Sequence, residues 1–389
     1  MIDAILTLNA GSSTLKFALF KTDTTGSLLR LYSGLIEHGT NPVTLRLQNV
    51  EGEVIYDQQL KQTQAPAVEH VLNCIKAALP SIKLKAISHR LVHGGQQFFD
   101  ATVVDAKVLE QLKTLIPLAP LHLPEEIHAI DTLLQCLPDV PQVAYFDTAF
   151  HRNQLTLSKM LPLPRSFFDE GIIRYGFHGL SYEYIASQLN ASHGLTIVAH
   201  LGSGASVCAL KNRQSVTHSM GFSTNEGLMM STRCGSIDPG VILYLLEEKN
   251  YSVAEVHSLL FDQSGLLGVS GISADIRQLE KSDKPEAQQA IDFFCYRTAA
   301  EIGKLLPALG GIDTVVFTAG IGEHSAIVRQ KICAYLHWLG LIIDNDANQG
   351  HLNMTSSKDS AIKVMVIPTD EEFILAKKAC DIMLRIYNR

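Results

Sequence analysis

No Gly-Lys-Ser or Gly-Lys-Thr occurs in the chain, so its glycine-rich turns are not P-loops. No cysteines stand at C-x-x-C spacing. The seven, at 74, 136, 208, 234, 295, 333 and 380, read as reduced core or near-core thiols of a cytosolic protein. No apolar run approaches the roughly 20 residues that cross a bilayer. The opening Met-Ile-Asp-Ala lacks a basic stretch followed by an apolar one, so no secretory signal is expected. Charge is sparse, at 18% of residues, and the formal net charge is −7. Nonspecific nucleic-acid binding needs a basic face that this balance does not offer. Low-complexity segments are absent.

What is present is apolar material: 46% of 389 residues, more than one core usually serves, so two domains are expected. Three small turns follow apolar runs: Asn9-Ala10-Gly11-Ser12-Ser13 after 5–8, His200-Leu201-Gly202-Ser203-Gly204 after 197–199, and Gly320-Ile321-Gly322 after 315–317. Each reads as a strand entering a tight turn whose glycines let backbone N–H groups approach an anion, although a plain hairpin explains each one as well. The first two share a strand–turn–strand layout about 190 residues apart, which hints at duplication. Strands are expected at 4–8, 15–20, 86–92 and 143–146. Helices are expected at 67–79, from Pro124 as first residue, at 241–249 after Asp238-Pro239, and from about Thr369 to the end. Phe373, Ala376, Cys380, Met383 and Tyr387 share one face of the last. Residues 161–166, Leu-Pro-Leu-Pro-Arg-Ser, read as a rigid connector and domain junction. Residues 277–290 read as charged and solvent-facing. The class is α/β.

Polar residues gather at the strand ends. Arg90 and Arg233 each stand among apolar residues and glycines, a costly place for a guanidinium unless it is paired or binds an anion. A structural ion pair accounts for either equally well. His178 and His122 read as hydrogen-bonded core residues or as ligand contacts. His89 and His93 would pair on a helix, but on a strand and its exit they stand roughly 13 Å apart, too far for a shared metal. Asp147 could ligate magnesium or cap the next turn.

Taken in order, these segments resemble the acetate kinase family, of the acetate and propionate kinase group in the sugar kinase–chaperone–actin superfamily. The matching strings are Asn9-Ala-Gly-Ser-Ser-Thr-Leu-Lys16, His89-Arg-Leu-Val-His-Gly-Gly95, Ala119-Pro-Leu-His122, Phe146-Asp-Thr-Ala-Phe-His151 and Arg174-Tyr-Gly-Phe-His-Gly179. They continue through His200-Leu-Gly-Ser-Gly-Ala-Ser206, Ser219-Met-Gly-Phe222, Glu226-Gly-Leu-Met-Met230, Gly265-Leu-Leu-Gly268 and Phe317-Thr-Ala-Gly-Ile-Gly-Glu323. The resemblance implies duplicated actin-like (ribonuclease H-like) domains, 1–151 plus 373–389 and 152–372, with an active site in the cleft between them. It implies a cytoplasmic homodimer, and reversible Mg²⁺-dependent transfer between ATP and acetate giving ADP and acetyl phosphate, with Mn²⁺ as a substitute metal.

The resemblance also assigns roles. Arg90 and Arg233 would hold the carboxylate and the moving phosphoryl group, with His178 and His122 donating beside them and Asp147 orienting the ligands. Val92, Leu121, Phe177 and Thr224 would line the substrate's methyl pocket. Asn9 and Glu371 would hold magnesium. Glu372, three residues after Thr369, has the spacing of a capping box, which leaves Glu371 as the metal candidate. Ser12, Ser13, Lys16, His200, Gly202, Ser203 and Gly204 would meet phosphates. Asp275, Ile276 and Arg277, with Gly320, Ile321 and Gly322, would surround ribose and adenine. The chain departs from the family's pattern at Ser203 and His324, each in place of an asparagine, at Thr224, in place of a proline, and at Leu123-Pro124-Glu125, in place of Asn-Pro-Pro. Two other classes share the turns: a nucleotide-driven chaperone or filament protein, and a kinase acting on a hydroxyl, for which Asp147 would have to serve as base.

Overall fold

Burial of both faces of the first two strands decides the architecture of the N-terminal half. In the computed structural model, which describes residues 1–10, 14–37, 43–60 and 67–387, β1 (Ile2–Ala10) and β2 (Thr14–Thr22) form the expected antiparallel hairpin. The Gly11, Ser12 and Ser13 turn lies outside the described residues. Successive side chains point to opposite faces, so the hairpin feeds two cores. Leu6, Leu8, Phe17 and Leu19 pack with Val68, Val71, Leu72 and Ile75 of the helix Ala67–Ala78. Ile5, Ala18 and Phe20 pack on the other face with Ala376, Ala379, Cys380 and Met383 of the terminal helix Glu371–Tyr387. Phe373, Ala376, Cys380 and Met383 of the apolar stripe read from the sequence therefore lie on the face of that helix packed against the sheet, with each large side chain contributing roughly 1.5–3 kcal/mol.

The chain divides into two compact units, Met1–Ala149 with Asp370–Arg389, and Phe150–Thr369. In the first unit the hairpin is extended by β3 (Leu28–Glu37), β4 (Val43–Asn49) and β5 (Val54–Leu60) on one side. On the other side lie β6 (Ile82–Leu91), β8 (Gln142–Phe146) and the short β7 (Thr102–Val103), in the order β5-β4-β3-β2-β1-β6-β8-β7. The second unit holds β9 (Thr196–Leu201), β10 (Ala205–Lys211), β11 (Gln214–His218), β12 (Thr314–Thr318) and β13 (Lys363–Val366), in the order β11-β10-β9-β12-β13. In each unit the first three strands pair antiparallel, and two later strands, β6 then β8 or β12 then β13, extend the sheet in parallel from the first. This repeated topology is the duplication hinted at by the two turns.

Local expectations are corrected in several places. Gly320, Ile321 and Gly322 are not a turn; they lie in the helix Ala319–His324, which starts directly at the end of β12. Pro124 is the second residue of the helix Leu123–Cys136, whose N-cap is His122. Residues 277–290 are not a solvated face throughout, since Leu279, Ala287 and Ala290 are buried, the last two at the start of the 25-residue helix Pro285–Leu309. Residues 161–166 lie inside the second unit and run into the short helix Arg165–Asp169, so they are not a junction.

Arg329 is fully buried in the second unit. Its Nη1 donates to the carbonyls of Gly322 and Glu323, at the end of the Ala319–His324 helix, and its Nε and Nη2 donate to Asn348 Oδ1 and carbonyl oxygen. No described carboxylate is paired with it; helix-end carbonyls hold the charge instead. Arg329→Met would take a hydrogen bond from each of four acceptors and leave Asn348 Oδ1 without a donor among the described residues, and we expect it to cost roughly 2–4 kcal/mol. A urea unfolding midpoint unchanged in this variant would refute that role.

Candidate active site

In the first unit, the C-terminal ends of β1, β6 and β8 bring together Asn9, Arg90 and Asp147. Arg90 lies near the end of β6 and Asp147 directly follows β8, its parallel neighbour. Arg90 Nε donates to Asp147 Oδ1 at 3.2 Å and Nη2 to Asp147 Oδ2 at 2.5 Å, a two-pronged pair. Nη1 donates to the carbonyl of Ala10 at 3.0 Å and lies 3.6 Å from Glu126 Oε1. Burial alone would lower the pKa of Arg90, but Asp147 and Glu126 outweigh it and hold the guanidinium more firmly charged than usual.

Glu371, at the first turn of the terminal helix, meets the same group. Asn9 Nδ2 donates to Glu371 Oε2 at 2.8 Å and to Glu372 Oε1 at 3.3 Å. Burial pushes the Glu371 carboxyl up to about 7, and the neighbouring Asp147 charge adds to it against the pull of Arg90. The capping-box reading of Glu372 is overturned: the helix is capped by Asp370, whose carboxylate accepts from the N–H of Phe373 at 2.9 Å, while Glu372 faces Asn9. Glu372 also lines a cavity of about 320 Å³ with Lys16, Arg30, Ser33, Arg46 and Gln48. Among the described residues no three His, Cys, Asp or Glu side chains form a closed metal cluster. Magnesium does not need one, because it is commonly held by one or two carboxylates together with waters and substrate phosphates. Glu371 fits that demand: its half-buried carboxyl is crowded by the Asp147 and Glu372 carboxylates, a strain that a divalent cation would relieve.

In the second unit, the β9–β10 turn carries the chemistry. The sequence places Gly204 there, and a Cβ at that position would stand 2.7 Å from Arg233 Nη2 and 3.3 Å from His178 Nε2. The missing side chain is thus what lets the guanidinium and the imidazole approach the turn. Arg233 Nη1 is anchored on the carbonyl of Thr224 at 2.7 Å. His178 Nδ1 is 2.8 Å from Ser206 Oγ, which is also 2.5 Å from the hydroxyl of Tyr182. His178 stacks on His200 with ring centroids 4.1 Å apart, and His200 Nδ1 is 2.8 Å from Ser181 Oγ.

The backbone pays for this placement. His178 adopts φ 57°, a left-handed conformation uncommon outside glycine, as N-cap of the helix Gly179–Gln188. Two residues earlier, Gly176 has φ 78°, and a Cβ there would lie 2.4 Å from His218 Nε2 and 2.7 Å from His151 Cδ2. Nε2 of His151 is 3.0 Å from the carbonyl of Phe177, which fixes the same corner. Burial pushes His151 down to about 4, so it holds this corner as a neutral imidazole.

The other expected residues are distributed as follows. Val92 is buried at the exit of β6, Leu121 is half exposed, and His122 is the partly buried N-cap described above. Phe177 is buried and Thr224 half-buried in the second unit. Gly202 and Gly204 close the second turn through a 3.1 Å backbone hydrogen bond, and the carbonyl of the exposed Ser203 accepts from Ser231. Asp275 caps the short helix Ile276–Glu280 and pairs with the exposed side chain of Arg277. Gly320 is exposed, while Ile321 and Gly322 are buried. Ala319 before them has φ 64°, and its N–H is held by Glu323 Oε1 at 2.8 Å. Sequence reasoning missed Ser181, Ser206, Tyr182, His151 and Glu126. Of these only Glu126 left a trace, as a charge on the apolar face formed by Leu123, Ile127 and Ile130.

Gly204→Ala tests the second constellation. The added Cβ must displace Arg233 or His178, and a shift of about 1 Å in a catalytic group costs on the order of 10²-fold in rate. We expect turnover to fall by about that factor with the melting temperature little changed. Turnover within twofold of the parent would show that the close approach has no functional weight.

A family model described as the acetokinase family matches residues 4–377. Acetate kinase of Rhodopseudomonas palustris is 44% identical over 97% of this chain and 98% of its own length. A propionate kinase from Francisella tularensis superposes with a TM-score of 0.89 at 35% identity, covering 97% of this chain and 99% of its own. The acetate kinase of Porphyromonas gingivalis gives 0.86 at 33% identity, covering 98% and 100%. A family match over nearly the whole chain, with relatives this similar along their full length, means that the chain belongs to the acetokinase family.

Proposed function

We propose that this kinase transfers a phosphoryl group reversibly between ATP and acetate, giving ADP and acetyl phosphate, with Mg²⁺ bound. The observation that carries this reading is the Arg90–Asp147 fork. Both carboxylate oxygens of Asp147 are engaged by one guanidinium. A kinase acting on a hydroxyl needs a free carboxylate to take its proton; a carboxylate acceptor, with a pKa of roughly 4, is already ionised and needs none. Asp147 therefore serves as an orienting group for Arg90.

The acceptor's carboxylate is held by Arg90 beside Val92 and Leu121, with Phe177 and Thr224 bounding its methyl group. Arg233 and His178 donate to the phosphoryl oxygens as charge spreads over them, and His122 assists. His200, Gly202, Ser203 and Gly204, with Lys16, Ser12 and Ser13, bind the phosphates. Asp275, Ile276, Arg277 and Gly320–Gly322 bind ribose and adenine. Asn9 and Glu371 hold magnesium, with Glu372 beside them, and Mn²⁺ substitutes. The metal supplies positive charge to the β- and γ-phosphates.

We also propose that the protein works in the cytoplasm, as a homodimer, without nucleic-acid or membrane partners. No helix of the described residues is long and apolar enough to cross a membrane. The helix Pro239–Glu247 buries none of its residues and exposes Val241, Leu243 and Tyr244, a face suited to a second copy. Leu243→Glu should shift sedimentation at micromolar concentration from dimer to monomer; a monomeric parent would refute the dimer.

Incubation with ATP, Mg²⁺, acetate and hydroxylamine should yield acetyl hydroxamate, with propionate giving less. Absence of hydroxamate with both acids would overturn the reading. Arg233→Ala removes a charged donor, for a loss of about 2.7–4 kcal/mol, or on the order of 10²–10³ in rate. Arg90→Lys keeps the charge but loses the fork, and should also lower turnover strongly. Near-normal rates in both folded variants would remove the arginines from the mechanism.

A further inference from the structure

Glu126 has no place in the roles above, yet it is one of the most buried charged groups of the first unit. One carboxylate oxygen, Oε2, accepts from the backbone N–H of Val92 at 2.9 Å. The other, Oε1, has no hydrogen-bond partner and lies 3.6 Å from Arg90 Nη1. A buried oxygen left unbonded is expensive, and its only described cationic neighbour is the guanidinium.

The donors of Arg90 can be counted. A guanidinium has five N–H groups. Nε and one N–H of Nη2 go to Asp147, and one N–H of Nη1 goes to the Ala10 carbonyl. One N–H remains on each terminal nitrogen. Glu126 Oε1 faces Nη1, too far for a good hydrogen bond but close enough to offset its charge. Two acids, Asp147 and Glu126, thus flank the base that an anionic substrate would need, and the Val92 contact ties the second acid to the backbone of the expected methyl pocket.

We infer that Glu126 is a positioning residue for the acyl acceptor: it fixes the backbone at Val92 and offsets part of the Arg90 charge, so that it limits how tightly a carboxylate substrate is held. The inference rests on the reading of Arg90 as the acceptor's ligand. The Asp147 fork and the Ala10 carbonyl keep the guanidinium in place, so loss of the Glu126 charge changes the strength of the arginine's attraction more than its position. Glu126 also senses Glu125 on its own helix, and Glu371 bears on Arg90 from the terminal helix. Burial pushes the Glu126 carboxyl up to about 7, against the pull of Arg90, so measurements at pH 8.5 read its ionised form.

Glu126→Gln keeps an oxygen for the Val92 N–H and removes the charge. Acetate binding by calorimetry, and the KM for acetate and for ATP, are measured at pH 8.5 on the full-length protein. We expect acetate affinity to rise roughly three- to tenfold and the KM for acetate to fall in step, with the KM for ATP unchanged. Glu126→Asp, which keeps the charge, should stay within about twofold of the parent for acetate. If the parent binds acetate but the Gln variant binds it equally well, or if both KM values move together, the inference is overturned and the Arg90 reading stands. Loss of the folding transition in the Gln variant would also overturn it, by making the carboxylate a requirement of the fold. A parent that binds no acetate overturns the Arg90 reading itself, and the inference with it.

Discussion

The first unit is organised around one buried positive charge. Taking a guanidinium out of water costs several kcal/mol unless its hydrogen bonds and its charge are matched. Arg90 meets that demand with a carboxylate fork from Asp147 and a carbonyl from Ala10. These partners come from the ends of β8 and β1, so the demand can be met only if β1, β6 and β8 end side by side in parallel register. Burial first, and then the neighbouring Asp147 charge, raises the Glu371 carboxyl. The unit therefore holds more negative than positive groups around one arginine, a balance that favours binding of a cation.

The second unit solves a different problem by omission. Its turn brings a guanidinium and an imidazole to one point, and the means is absent side-chain volume at Gly204. Gly176 serves the same end one step back, where His151 and His218 fill the space a Cβ would take. The left-handed backbone of His178 is held by the ring's contact with Ser206 and by its position at a helix start. Such strain persists only where the surroundings over-determine it. Here they do so with serine, tyrosine and histidine partners rather than with ions.

Much of the fold was legible because apolar runs bounded by short turns, and the helical spacing of apolar residues, are local signals. The β1–β2 and β9–β10 hairpins and the buried stripe of the terminal helix follow from spacing alone. The misreadings have a common cause, which is that several partners competed for one group. Thr369 and Glu372 fit a capping box by spacing, but Asp370 took the cap and Asn9 took Glu372. Gly320 and Gly322 looked like a turn, but the N–H of Ala319 found Glu323 and the chain turned directly into helix. Ser206 and Ser181 were invisible because a hydroxyl in a strand or helix gives no sign of which imidazole it will meet. Glu126 was readable in principle, since an acid on an apolar helix face must find a partner.

The two sheets share one topology, yet their functional ends carry opposite chemistry. Ligands of open α/β sheets gather outside the carboxyl ends of the strands, and both units place their polar residues there. At the ends of β1, β6 and β8 stand Asn9, Arg90 and Asp147, and with Glu126 and Glu371 beside them the acids are in excess. At the end of β9 and in the turn after it stand His200 and the glycines that admit Arg233 and His178, where donors are in excess. A phosphoryl group in transit needs donors around its own oxygens and a cation on the phosphates it leaves. Duplication supplied two equivalent strand ends, and divergence of a few residues at each left an arginine held by carboxylates at one and a guanidinium beside an imidazole at the other.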